Sequence, residues 1–447
     1  MKIDLVVRGD CVITPAGERN AAILIADGKI ADVVDYDAAP THVPMKDYDC
    51  AILPGLVDSH VHCNEPGRTE WEGFETATKA ALMGGVTTLV DMPLNCSPVT
   101  TSAQAFAAKL SAAEGKLNCD LGFWGGVVPG MADSLEDLIA AGVLGFKAFL
   151  CPSGIDEFPN ATEAELAIAM PQIAAAGLPL LVHCELVSPA LEPSGDPRRY
   201  ATWLRSRPAQ FERDAIELLI DLCRRTGCRT HIVHLADADS LPMIRTARAE
   251  GIPITVETCP HYLRFAAEEI PDRATEFKCA PPIREARHLE GLWEGLVDGT
   301  IDLIASDHSP SPPELKCSED GDFLKAWGGI ASLQLGLSVI WHEAHKRGAN
   351  LCDVARWMSL NPARLAGLRY KGAIAPGYDA DLIVFHDYAT WQPASKELWH
   401  RHKLTPYLGQ SLRGVVDDVY LRGQMVVEGD CRSFCRPPSG RTILRSP

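Results

Sequence analysis

The sequence predicts an α/β protein: a (β/α)8 TIM barrel joined to a small β-sandwich domain built from the N- and C-terminal segments. Eight short apolar runs alternate with helix-length segments through the middle of the chain, whereas both termini carry alternating strand patterns with glycine-containing turns. A chain of 447 residues is also long enough for one large barrel with a smaller companion.

The barrel prediction depends on the eight runs, which are rich in β-branched residues. Between them lie Ala- and Leu-rich stretches whose apolar residues recur at helical spacing and often stop at glycine. Eight strand–helix units can close a parallel sheet, and the active site of such a barrel lies at the carboxyl ends of its strands. The runs cover residues 52–60, 86–92, 119–127, 143–150, 179–185, 230–236, 253–259 and 302–308.

The terminal segments predict the smaller domain. Residues 1–53 and 372–447 contain strand-like stretches such as LVVRGDCVIT and DVYLRGQMVVEG. We expect them to pair into one domain flanking a barrel of residues 54–371, with Pro54-Gly55 and Ala375-Pro376-Gly377 near the boundaries.

Composition restricts the partners. The 42 basic and 59 acidic side chains give a formal charge of −17, which disfavours nucleic acid. The N-terminus has charges where a signal peptide would be apolar, and no run approaches the roughly eighteen apolar residues of a membrane span. Fifteen scattered cysteines suit a reducing compartment. We therefore expect a soluble, cytoplasmic protein.

The first candidate site residues are two histidines in VDSHVH. His60 and His62 project to the same face because strand side chains alternate with period two. At the mouth of the first barrel strand that face is the interior, so the pair can clamp a metal ion. On its own this signal is weak, because histidines at strand ends often only hydrogen-bond a loop.

Three further strands end in residues of the same kind: His183, His234 and Asp307. Imidazole and carboxylate groups suit zinc, iron, cobalt or manganese. Lys147 lies in the apolar run of the fourth strand, where burial disfavours its ammonium form and a neutral amine can react with carbon dioxide to form a metal-bridging carbamate. The alternatives are core histidines with satisfied hydrogen bonds, and a lysine that snorkels to solvent or pairs with Asp307.

Together these motifs resemble the cyclic amidohydrolases of the amidohydrolase superfamily, which include dihydroorotases, hydantoinases and allantoinases. The resemblance covers nearly the whole chain and implies a binuclear metal centre with a carboxylated lysine. The motifs VDSHVH, GFKAF, LVHCE, HIVHL and SDHSP place its ligands at His60, His62, Lys147, His183, His234 and Asp307.

Three other histidines lie close to these positions. His231 competes with His234 on the sixth strand, but the family motif places the ligand at the second histidine. For His261 and His308 we expect hydrogen bonds to loops.

Several longer sequence motifs resemble those of allantoinases in particular, namely EPGR, DMPLN, ETCPHY, KCAPPIR, SDHSPSPPE, KAWGGI and RHKLTPY. The resemblance implies ring opening of allantoin to allantoate by two divalent metal ions, first of all zinc, with cobalt, manganese or iron as alternatives. It also implies carboxylated Lys147, Asp307 as the catalytic general base and acid, and a homotetramer. Alternatives are dihydroorotase or hydantoinase/dihydropyrimidinase activity, a single-metal deaminase, and a non-catalytic scaffold of the same fold.

Substrate contacts are harder to assign, because the family reads its ring substrates partly through backbone groups. Dihydroorotases typically place an arginine for the substrate carboxylate two residues after the HxH pair, where this chain has Asn64. Arg68 is close enough in sequence to substitute for it. The candidates for substrate binding are Asn64, Arg68, Asn95, Ala280, Ser309 and Gly328, the last within Trp327-Gly328-Gly329.

Overall fold

The computed structural model describes residues 2–131, 135–187, 193–429 and 433–445. The strands of these residues are β1 (Leu5–Thr14), β2 (Gly17–Ala26), β3 (Lys29–Asp35), β4 (Met45–Pro54), β5 (Leu56–Val61), β6 (Val86–Asp91), β7 (Asp120–Phe123), β8 (Gly125–Gly126), β9 (Phe146–Phe149), β10 (Pro179–His183), β11 (Arg229–Ile232), β12 (Ile254–Thr258), β13 (Leu303–Ile304), β14 (Leu382–Trp391), β15 (Leu412–Leu421), β16 (Gln424–Glu428) and β17 (Ser433–Phe434).

Nine of the twelve α-helices in the described ranges fall between barrel strands, as the alternating pattern predicts, and α10, α11 and α12 follow the last barrel strand. They are α1 (Phe74–Met83), α2 (Ala103–Ala113), α3 (Leu135–Ala141), α4 (Glu163–Ala175), α5 (Tyr200–Ser206), α6 (Gln210–Thr226), α7 (Leu241–Ala249), α8 (Pro260–Arg264), α9 (Ala286–Val297), α10 (Gly336–Lys346), α11 (Leu351–Ala355) and α12 (Asn361–Leu365). No helix in the described ranges is long and apolar enough to cross a membrane.

The barrel consists of two parallel sheets that meet at both edges. One has the order β5-β6-β7 and the other the order β13-β12-β11-β10-β9-β8. Only one residue separates β7 from β8, so these two labels are pieces of the third of eight barrel strands. At the first junction the Leu144 amide donates to the Phe123 carbonyl at 2.9 Å, and at the second the His62 amide donates to the His308 carbonyl at 2.9 Å. The predicted (β/α)8 fold is confirmed, although two junctions rest on single bonds rather than on continuous ladders.

The first predicted run contains the end of one strand and the start of another. Residues up to Pro54 belong to β4 of the terminal sheet, and the barrel strand β5 begins at Leu56. Gly55 makes the transition, because its amide donates to the Asp381 carbonyl and a Cβ there would lie 2.2 Å from Oγ1 of Thr87. The apolar pattern is continuous across this glycine, so it does not reveal the change of sheet.

The terminal segments form one mixed sheet of eight strands in the order β17-β16-β15-β14-β4-β1-β2-β3. Its N- and C-terminal halves join where β14 pairs antiparallel with β4, with Leu382 opposite Pro54. The final residues return to the barrel, since the Leu121 amide donates to the Arg441 carbonyl at 2.9 Å. The boundaries at residues 54 and 371 stay a prediction.

Packing explains why the strand ends present polar groups to one rim. The amphipathic helix α6 buries Phe211, Ile216 and Leu219 against the sheet and ends at Gly227, whose φ of 67° suits a left-handed cap. Helices of this kind cover the outside of the barrel and leave the strand ends to form the site.

Candidate active site

The centre of the candidate site is formed by His60, His62 and Asp307. Nε2 of His60 lies 3.3 Å from Oδ1 of Asp307, and Nε2 of His62 lies 3.5 Å from the same oxygen. Burial opposes ionisation of Asp307, but the two imidazoles lower its pKa to about 2. All three side chains are buried, so an anionic carboxylate faces two imidazole nitrogens away from bulk water.

His183 and His234 form the second part of the site. Nδ1 of His183 lies 3.0 Å from Nε2 of His234, and the ring centroids of His60 and His234 are 5.4 Å apart. The barrel therefore brings together four histidines and one aspartate from the ends of four strands, β5, β10, β11 and β13.

Lys147 completes this arrangement. Its side chain is fully buried and, among the described residues, Nζ has no hydrogen-bond partner. Burial lowers its pKa to about 8, although the charges of Glu257 and Asp307 oppose that shift. Lys147 thus neither snorkels to solvent nor forms an ion pair with Asp307, and both alternatives from the sequence are wrong.

The donor set fits divalent metal ions. Ligand atoms of His60, His62 and Asp307 lie within 4.8 Å of one another. Nδ1 of His234 and Nζ of Lys147 are buried without partners in the described part of the chain, which is uncommon for buried polar atoms. Imidazole and carboxylate donors around such atoms are typical of a site for zinc or a similar cation.

Glu257 on β12 is a functional residue that sequence reasoning missed. Its carboxylate accepts from the ring nitrogens of two histidines, with His60 Nδ1 at 2.5 Å and His231 Nε2 at 3.0 Å. Burial opposes its ionisation, yet His60 and His231 lower the pKa of Glu257 well below its usual range. Glu257 therefore leaves Nε2 of His60 directed toward Asp307. Both ring nitrogens of His231 are engaged, one by Glu257 and the other by Thr255.

Replacing this carboxylate should weaken metal binding. We expect Glu257→Gln to lower the affinity for divalent metal by about 10–100-fold, because residues that orient a ligating histidine typically contribute that much. Metal titration of the apoprotein measures the change. Glu343→Gln is the matched control, since this buried carboxylate pairs with Arg347 at 2.8 Å outside the site. Equal losses in both variants would contradict the orienting role.

Glu185 plays the corresponding part for His183. Its Oε2 lies 2.8 Å from Nε2 of His183, and Arg207 donates to the same oxygen. Burial opposes the ionisation of Glu185, but the Arg207 charge lowers its pKa. The motif LVHCE contained this residue, yet nothing in its spacing indicated that Glu185 turns back to the histidine.

Backbone conformation also distinguishes the site. Eight non-glycine residues of the described ranges have positive φ, and four of them are predicted site residues: Asn64 at 62°, Asn95 at 63°, His234 at 39° and Asp307 at 44°. Such conformations are strained for most side chains and often occur at functional sites.

Two of the predicted substrate contacts, Asn64 and Asn95, are buried, and Asn95 lies beside the predicted ligand His62. Nδ2 of Asn95 lies 3.3 Å from Nδ1 of His62, and Nδ2 of Asn64 donates to the Pro310 carbonyl at 3.3 Å. Within the described residues, neither Oδ1 atom has a hydrogen-bond partner. Both amides can therefore accept a hydrogen bond from a ligand.

Arg68 is directed elsewhere. Its Nη2 donates to the exposed carboxylate of Glu157 at 2.8 Å, and its Nη1 contacts the Cys96 carbonyl at 3.4 Å. The structure therefore directs the Arg68 guanidinium to Glu157 and the Cys96 carbonyl, and not to the predicted metal ligands.

Ala280, Ser309 and Gly328 lie on adjoining loops. A Cβ at Gly328 would lie 3.9 Å from the Ala280 amide nitrogen, and one at Gly329 would lie 2.3 Å from the Ser309 carbonyl oxygen. The Ser309 amide donates to the Ile330 carbonyl at 3.0 Å. These three predicted contacts are thus neighbours, as substrate contacts would need to be.

The two remaining histidines behave differently from each other. The amides of Ser332 and Leu333 donate to Nδ1 of His308, so the expected loop hydrogen bonds are present. His261 has none in the described ranges, and the expectation is wrong for this residue. Burial lowers its pKa to about 4, and a ring nitrogen lies within 4.8 Å of Asp307 and Cys259 donor atoms.

Comparisons with known proteins agree with this geometry. The profile described as "Amidohydrolase family" matches residues 51–426. An allantoinase of Streptomyces avermitilis is 49% identical over 451 residues, covering 100% of this chain and 99% of that protein. The allantoinase of Saccharomyces cerevisiae is 44% identical over 458 residues, covering 98% of each.

Solved structures extend the likeness to the fold. An L-hydantoinase (dihydropyrimidinase) from Arthrobacter aurescens has a TM-score of 0.92 at 28% identity, covering 99% of this chain and 100% of that chain. A dihydropyrimidinase from Brevibacillus agri has a TM-score of 0.89 at 28% identity, covering 99% and 98%. The chain therefore belongs to the amidohydrolase family, within the cyclic amidohydrolases that include the allantoinases.

Proposed function

We propose that this chain is a metal-dependent hydrolase that opens the ring of allantoin to give allantoate. The observation that carries the chemistry is a buried cluster of ligand-type side chains, with donor atoms of His60, His62 and Asp307 within 4.8 Å of one another. Lys147 is in addition a buried amine without a partner in the described residues. The substrate rests on the full-length relatives, of which those from Streptomyces avermitilis and Saccharomyces cerevisiae are allantoinases.

Six residues would hold the metal ions, for which zinc is the first candidate and cobalt, manganese or iron are alternatives. In this proposal the Lys147 amine attacks carbon dioxide and loses a proton, so that it becomes an anionic carbamate. Bound divalent metal would supply a water of lowered pKa and polarise the substrate carbonyl. The six residues are His60, His62, Lys147, His183, His234 and Asp307.

Asp307 is the proposed proton carrier. It is anionic, and its Oδ1 lies between Nε2 of His60 and Nε2 of His62 at the centre of the site. It would accept the proton of the attacking water as general base and donate it to the departing ring nitrogen as general acid. The close approach of both imidazoles, at 3.3 and 3.5 Å, keeps this carboxylate at the centre of the site for both steps.

Hydantoinase activity is the second candidate, because hydantoinases and dihydropyrimidinases share the fold over the whole chain. Hydrolysis of allantoin, dihydroorotate, hydantoin and dihydrouracil by one metal-loaded preparation distinguishes these functions. Metal content separates the remaining alternatives: two ions per chain agree with the proposal, one with a deaminase, and none with a scaffold.

The clearest test of substrate choice concerns Asn64. We expect a kcat/KM for allantoin at least about tenfold higher than for dihydroorotate, because a buried asparagine offers no charge to a substrate carboxylate. A charge-assisted hydrogen bond contributes roughly 1.5–3 kcal/mol. Steady-state kinetics on both substrates measure the ratio.

Arg68 provides the control for this prediction. It pairs with Glu157, so Arg68→Met should leave the ratio of the two kcat/KM values unchanged. Equal or reversed preference in the unmodified enzyme would instead indicate a dihydroorotase. A homotetramer and a cytoplasmic location remain predictions of the sequence, testable by light scattering and by fractionation.

A further inference from the structure

Two buried lysines lie behind the loop that carries the predicted substrate contacts. Lys278 is 5% exposed and Lys316 is 4% exposed, which is unusual for lysine. In the described part of the chain the hydrogen-bond acceptors of both ammonium groups are backbone carbonyls, and none is a carboxylate. An ammonium group buried without a counter-ion is unfavourable unless several hydrogen bonds compensate, so these positions need an explanation.

Backbone carbonyls provide the compensation. Nζ of Lys316 donates to the carbonyls of Trp327 at 3.0 Å, of Lys278 at 3.3 Å, and of Gly329. Nζ of Lys278 donates to the carbonyls of Ala326 at 2.5 Å and of Leu324 at 3.2 Å. We call these two lysines the carbonyl clamp. Together they hold both sides of the loop of residues 324–329.

The loop that the clamp holds contains peptide groups that are free to bind a ligand. The Gly329 amide donates to the Lys278 carbonyl at 2.9 Å, which joins the loop to the segment before Ala280. The carbonyls of Trp327 and Gly329 face Lys316, but the amide and carbonyl of Gly328 have no hydrogen-bond partner in the described ranges. The same is true of the peptide groups of Ala280.

We propose that Lys278 and Lys316 are positioning residues, which hold the loop so that the free peptide groups of Gly328 and Ala280 meet the amide edge of the ring. This inference rests on the proposed ring-opening function. Lysine suits the role because its ammonium group has three donors, and Lys316 uses all three on carbonyls from two segments. The clamp acts on substrate binding through the backbone and contacts no metal ligand.

Kinetics of Lys316→Met test the proposal. Methionine keeps the volume but leaves the carbonyls of Trp327 and Gly329 without a donor. We therefore expect KM for allantoin to rise about tenfold or more, with kcat changed less than about threefold. Metal content should stay as in the unmodified enzyme. Lys325→Met is the matched control, because this lysine lies in the same loop with its side chain 76% exposed, and it should leave KM unchanged.

Limited proteolysis supplies a measure of loop order that needs no substrate. Trypsin should cleave after Lys325 at least about tenfold faster in Lys316→Met than in the unmodified protein, because the loop has lost its anchors. If Lys316→Met does not fold, Lys278→Met tests the other anchors of the same loop, the carbonyls of Leu324 and Ala326. Unchanged cleavage, or a lower kcat at unchanged KM, would overturn the clamp. If the unmodified enzyme does not hydrolyse allantoin, the proposed function fails while the cleavage rates still decide this inference.

Discussion

Lys147→Ala should abolish ring hydrolysis, lowering kcat/KM by more than about 100-fold. Losing a group that merely orients a metal ligand already lowers metal affinity or activity by about 10–100-fold, and Lys147 is proposed to ligate directly. The fully buried Nζ has no hydrogen-bond partner in the described residues, so its removal disrupts no network visible there. The loss should therefore appear in metal content and activity before it appears in folding.

A comparison of two substitutions separates the carbamate from simple packing. Lys147→Met fills the same volume but cannot react with carbon dioxide, so it should be as inactive as Lys147→Ala. Acetate or propionate should restore part of the activity in the alanine variant only, because only that variant has room for an added carboxylate. Fully metal-loaded, active enzyme with unmodified Lys147 would refute the carbamate proposal.

Asp307→Asn should hydrolyse the substrate at least about 100-fold more slowly, since general acid–base catalysis typically contributes 10²–10⁴-fold. Asparagine keeps the shape of the side chain and tolerates the φ of 44° at this position, so the variant should fold normally. It cannot accept the proton of the attacking water. The measurements are kcat and metal content on the same sample, because the substitution also removes a negative ligand.

Asp302→Asn provides the control, since this carboxylate lies just before β13, outside the site, where it accepts from the Val256 amide at 2.7 Å. Its substitution should affect stability more than kcat. Near-normal turnover of Asp307→Asn with a full complement of metal would show that another group carries the proton.

The sequence did not predict the two carboxylates that contact the proposed histidine ligands, those of Glu257 and Glu185. Glu257 lies in β12 and Glu185 follows β10, yet each turns to a histidine whose orientation depends on packing between strands. Charge and spacing along the chain are the same whether a buried glutamate faces a histidine or an arginine. Only the register of neighbouring strands decides between them.

By itself, the sequence determined the eight strand–helix units, the pairing of the two terminal segments and the family. It could do so because hydrophobic periodicity and sequence motifs are local properties of the chain. It also placed six ligand-type residues at strand ends. The tertiary structure alone decided the change of sheet at Gly55 and the carbonyl clamp of Lys278 and Lys316. It alone also decided that Lys147 Nζ and the ring of His261 have no hydrogen-bond partner among the described residues. Each of these depends on which groups from distant segments lie within hydrogen-bonding distance, and no local pattern carries that information.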